Sequence, residues 1–102
     1  MYLVHAHLEV PPGEQLPTNM RAVVRSAITA GDRVEHVAVH PRSPTLLTLG
    51  FYLLADGIEE AEGRAVQVGA RLLRDVPQLA AARLTGAGVP LMPLAFAPQP
   101  VD

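Results

Sequence analysis

The chain has 102 residues, enough for one two-layer domain and little more. Its net charge of −2 and pI near 6.0 leave no cationic footprint for nucleic acid or an anionic membrane surface. With no cysteine, disulfides, thiolate metal sites and thiol catalysis are excluded.

The chain opens on a strand pattern rather than on a basic segment followed by an apolar one, so no signal peptide is expected. No apolar run reaches the length of a membrane span, and a soluble cytoplasmic protein is expected. From Tyr2 to Val10 the residues alternate. Tyr2, Val4, Ala6, Leu8 and Val10 fall on one face, with Leu3, His5, His7 and Glu9 on the other. Residues 11–17 hold three prolines and a glycine and form a loop.

Thr18 is a suitable N-cap for a helix over 19–30, whose stripe is Met20, Val23, Val24, Ala27 and Ile28; Gly31 can end it in a left-handed conformation. Residues 34–40 alternate as a second strand, Pro41–Pro44 make a turn, and 45–55 read as a longer and more apolar third strand, suited to a central position. Asp56 with Glu59 forms a variant capping box for a second helix of about 18 residues, roughly 27 Å long. Its stripe is Ile58, Ala61, Ala65, Val68, Leu72 and Val76, and Pro77 ends it. Leu79–Thr85 is the last strand, broken by Gly86-Ala87-Gly88. The tail carries four prolines among apolar residues, so it lies extended against its own protomer or a partner.

The order β-α-β-β-α-β predicts an α+β, ferredoxin-like fold: a four-stranded antiparallel sheet with both helices on one face. One domain spans 1–102, with a core over about 2–85 and an extended tail over 86–102. The first and third strands are central. Val4, Ala6, Leu8, Val37, Val39, Leu47, Leu49, Phe51 and Leu53 face the helices. By parity the opposite face carries Leu3, His5, His7, Glu9, His36, Ala38, His40, Leu46, Thr48, Gly50, Tyr52 and Leu54, and so every histidine of the chain. A helix-free face that is half apolar marks an interface.

Over residues 2–85 the element order and alternation resemble the dimeric α/β-barrel superfamily, in which two ferredoxin-like subunits set their sheets face to face. The resemblance implies a homodimer and a small-molecule cavity. Monooxygenases of that superfamily commonly use a tryptophan and an asparagine; this chain has no Trp, and its Asn19 stands at a helix start. The chain is more similar to the small cyclases, which can carry a histidine on the first strand and a tyrosine nearby. Here those are His5 or His7, and Tyr52 or Tyr2.

Histidine and tyrosine in a half-apolar cavity can deprotonate a carbon acid and hold the enolate. The candidate catalytic groups are therefore His5, His7 and Tyr52, with Glu9, His36, His40 and Thr48 on the same ligand face. The activity implied is that of a cyclase or isomerase acting on a small secondary metabolite. The row His5, His7 and Glu9 would also suit Zn²⁺, Ni²⁺ or Fe²⁺. But His-x-His on a strand has little specificity, and His36 and His40 are expected two strands, roughly 10 Å, away. No metal and no cofactor is assigned. The competing reading needs less: a non-catalytic assembly module that holds a second copy, or another partner, by the sheet face or the C-terminal tail. Neither nucleic acid nor a membrane is an expected partner.

Overall fold

The computed structural model describes residues 1–14 and 16–89; of the tail expected over 86–102, residues 90–102 lie outside the described residues. The elements are β1 (Tyr2–Glu9), α1 (Met20–Ala27), β2 (Val34–Ser43), β3 (Leu46–Leu53), α2 (Ile58–Asp75) and β4 (Arg83–Gly88), with 3₁₀ turns at Ala30–Asp32 and Pro77–Leu79. The sheet order is β2-β3-β1-β4 and each pairing is antiparallel. This is the ferredoxin-like arrangement, with β1 and β3 central. No helix of the described residues is long and apolar enough to cross a membrane.

Alternation builds the core. Val4, Ala6, Leu8, Val37, Leu47, Leu49, Phe51 and Leu53 are buried against Met20 and Val24 of α1 and Ala61, Ala65, Val68 and Leu72 of α2. Val39 is half-buried at the same layer. Each such leucine or phenylalanine removed from water contributes about 1.5–3 kcal/mol. α2 rests on the sheet at Gly69, where a Cβ would make ordinary contact with the Leu84 methyls at 3.7 and 3.8 Å. Ile58, expected on the buried stripe of α2, is instead 48% exposed at the helix start.

Several boundaries differ from the sequence reading, each for a physical reason. Asn19, not Thr18, stands at the N-cap of α1, with no side-chain cap bond. The helix stops at Ala27, earlier than expected, and Ile28 turns extended (φ −78°, ψ 138°). Arg33, not Gly31, takes the left-handed conformation at φ 61°; its carbonyl then accepts from the Leu54 N–H at 2.9 Å. Gly57 rather than Asp56 caps α2, and the Glu60 carboxylate accepts from the Asp56 N–H at 3.4 Å. β2 runs through Pro41 to Ser43 and leaves the turn to Pro44 and Thr45. Pro41 is tolerated because β2 is an edge strand and one side of its backbone needs no partner.

At the other edge, β4 begins four residues later than expected and includes Gly86-Ala87-Gly88. Leu79 does not start a strand. The 3₁₀ turn after Pro77 drives its side chain fully into the core. A register shift opposite His7 and Leu8 leaves Thr85 as the extra residue, and its hydroxyl donates to the His7 carbonyl at 3.1 Å.

A buried ion pair fastens the helical layer. Arg71 of α2 donates to both oxygens of Asp32, at 2.6 and 2.7 Å, and to the carbonyl of Ala27 at 3.0 Å. Asp32 also accepts from the Thr29 N–H at 2.8 Å. One guanidinium thus closes the orphaned end of α1 and ties it to α2. The Arg71 hydrogen bonds, the largest influence, hold the Asp32 carboxyl at about 2, below its ordinary 3.8.

Candidate functional site

The register fixes three rows on the helix-free face. His7, Thr48 and His40 lie across β1, β3 and β2; His5, Gly50 and Ala38 form the next row; Leu3, Tyr52 and His36 form the third. No described helix covers them. Even so, Thr48 and Gly50 are buried, because side chains from both neighbouring strands fold over the middle of β3.

The histidines separate into a cluster and a pair. The His5 ring centroid lies 6.1 Å from that of His7 and 6.1 Å from that of His40. The strand spacing alone predicts roughly 10 Å between the β1 and β2 sets. His5 leans across β3 over Gly50, where no bulky side chain stands in its path; even a Cβ there would be in ordinary contact, 3.6 Å from the His5 Cδ2, 3.6 Å from the Ala38 Cβ and 3.4 Å from the Leu3 Cδ1. His36 instead packs against Tyr52, with ring centroids 5.3 Å apart. Of the three candidate catalytic groups, then, the fold brings His5 and His7 together, while Tyr52 is held one row away with His36.

Hydrogen bonds sharpen the cluster. The His7 Nδ1 is 3.1 Å from the Thr48 Oγ1, and the Arg42 Nε donates to the same hydroxyl oxygen at 3.4 Å. Thr48 can therefore accept from Arg42 and pass its own proton towards an unprotonated His7 Nδ1. Burial pushes the His5 imidazole below its ordinary pKa of 6.5, and the charges on His7, Arg42 and His40 push it the same way. His5 is accordingly a neutral imidazole at neutral pH, able to take a proton.

The His5-His7-Glu9 row is divided. Glu9 pairs with Arg83, its register partner on β4, and so belongs to an ion pair at the sheet end. Among the described residues, no three His, Asp or Glu side chains are placed to hold a metal ion.

Sequence reasoning places Arg42 in the Pro41–Pro44 turn, solvated or ion-paired, and misses its part in this cluster. The signal was present: Arg42 continues the even-numbered series His36, Ala38 and His40, and extending the strand past Pro41 places it on this face. Reasoning from sequence also missed a groove of about 490 Å³ beside the start of α1, lined by Leu16, Met20, Arg21, Val39, Pro41 and Leu47. No family model matches the chain, and neither the curated proteins nor the solved structures give a match.

Proposed function

We propose that the protein is a small-molecule-binding homodimer of the dimeric α/β-barrel type, with the ligand held where two helix-free sheet faces meet. The observation that carries this reading is the gathering of His5, His7 and His40 around Gly50 and Thr48, on a face left open by every described element. Its exposed large apolar residues sit at its two ends. Leu46 is 47% exposed at one end, and Leu54 (38%) and Met1 (72%) are at the other. A second copy related by a two-fold axis through the middle would bury the ends and enclose the imidazoles.

In this reading the protein is a cytoplasmic cyclase or isomerase of secondary metabolism. His5 takes a proton from a carbon acid, giving an imidazolium and an enolate, and the same imidazolium returns that proton to another carbon of the product, restoring neutral His5. Tyr52 and His36 form the adjacent wall, and Glu9 with Arg83 closes the rim.

Sedimentation equilibrium over a range of concentrations tests the pairing. A reversible dimer is expected, and Leu46→Arg with Leu54→Arg should shift it to monomer without loss of fold. A wild-type monomer at every concentration would end this reading.

A further inference from the structure

We propose that the centre of the helix-free face binds an oxyanion, the carboxylate or phosphate group of a small ligand, on the surface formed by His5, His40 and Arg42. The inference rests on this face being a ligand site, but not on its pairing with a second copy.

Two features point to an anion. The first is the sign of the charge. Three imidazoles and a guanidinium share one small area, close enough that His7, His40 and Arg42 all bear on the protonation of His5. The carboxylate of this face, Glu9, is taken up by Arg83. Among the described residues no carboxylate pairs with Arg42. In a chain of net charge −2, such a local surplus is a feature of this site and not of the whole surface.

The second feature is the supply of donors. Arg42 spends its Nε on Thr48, which fixes the guanidinium at the edge of the cluster and leaves its terminal nitrogens without a described partner. Protonated imidazoles add an N–H each. The fork of a guanidinium with flanking N–H donors suits the geometry of a carboxylate or phosphate. A divalent cation would meet the same guanidinium as a repulsion, which is why the cluster favours an anion over a metal.

Binding should draw protons onto the imidazoles. The groups facing the cluster are His5, His7 and Glu9 from β1, His36, His40 and Arg42 from β2, Thr48 and Tyr52 from β3, and Arg83 from β4. Glu9 and Arg83 compensate each other, so the histidines carry the response to pH near neutrality.

Sulfate and malonate are suitable probes, read by the ring C–H resonances of the four histidines. Saturable shifts at His5 and His40 are expected with either anion. Affinity for sulfate should rise about tenfold between pH 8 and pH 6, the linkage of about half a proton on average over that range. Arg42→Gln should weaken sulfate at least about fivefold, while Arg25→Gln, the same charge change on exposed α1, should leave it unchanged. A saturable response to only one of the two probes still supports the site and says which oxyanion it takes. Shifts that never saturate, equal weakening by both arginine variants, or zinc binding that expels sulfate at pH 8 would each overturn the proposal. Sedimentation of the same samples separates the two readings: an anion bound to a monomer keeps this inference and removes the dimer, and a dimer indifferent to both anions does the reverse.

Discussion

Replacing Asp32 by Asn isolates the charge of one carboxylate in the helical clamp. Asp32 is 9% exposed and receives two charge-assisted hydrogen bonds from Arg71 and one from the Thr29 N–H. Its carboxyl is held at about 2 against an ordinary 3.8. That difference corresponds to roughly 2.4 kcal/mol at 1.36 kcal/mol per unit. The Arg71 side chain is 26% exposed, so solvent screens part of it, and a loss of about 1–2 kcal/mol is expected at neutral pH.

The sign follows from linkage. The folded-state pKa is depressed, so the stabilisation is fully present above 3.8 and disappears as pH falls from 3.8 towards 2. Urea unfolding of the wild type and Asp32→Asn at several pH values measures it. The two stabilities should differ at pH 6 and converge as pH falls towards 2. Parallel curves across that range, or a difference below about 0.5 kcal/mol at pH 6, would refute the account. Arg71→Ala with Asp32→Ala in a double-mutant cycle should return a coupling of similar size, since the two groups touch.

Gly50→Ala should alter stability by less than about 1 kcal/mol, because the new methyl meets Leu3, Ala38 and His5 at 3.4–3.6 Å. Gly50→Val should cost about 1–3 kcal/mol and drive His5 away from His40, seen as changed imidazole shifts. The wild type should lose stability as pH falls below 6.5, where the unfolded chain takes up a proton that His5 resists when folded; His5→Gln should flatten that part of the curve in denaturant titrations. Leu79→Ala should cost about 2–5 kcal/mol in the same assay, since Leu79 is fully buried although it lies outside the sheet.

The fold was legible because its strands obey a simple parity. Val4, Ala6 and Leu8 alternate with His5 and His7, and one buried layer admits a single register. β3 announced its central place by being apolar on both parities, and Leu47 through Phe51 are all buried. The boundaries were harder to read because tertiary contacts override local signals. Asp32 can end a helical region early when Arg71 arrives from 39 residues away to satisfy the Ala27 carbonyl. Glycines that would break a central strand are acceptable in β4, an edge strand whose Ala87 still packs on the core.

The candidate site was legible only to the level of the face. Parity assigns His5, His7, His36 and His40 to one side of the sheet, yet says nothing of which imidazoles meet. That is decided by what stands between them. Tyr52 fills the space on β3 beside His36 and takes it as a partner. Gly50 puts no bulky group in the way, and His5 leans over it towards His40. Glu9 leaves the histidine row because the β4 register sets Arg83 beside it. The chemistry of the face therefore turns on a residue with no side chain and on an arginine beyond a proline. Neither belongs to a catalytic residue type sought first in a sequence, and together they change the sign of the expected ligand: with Glu9 withdrawn and Arg42 added, the histidine cluster has the character of an anion site and not of a metal site.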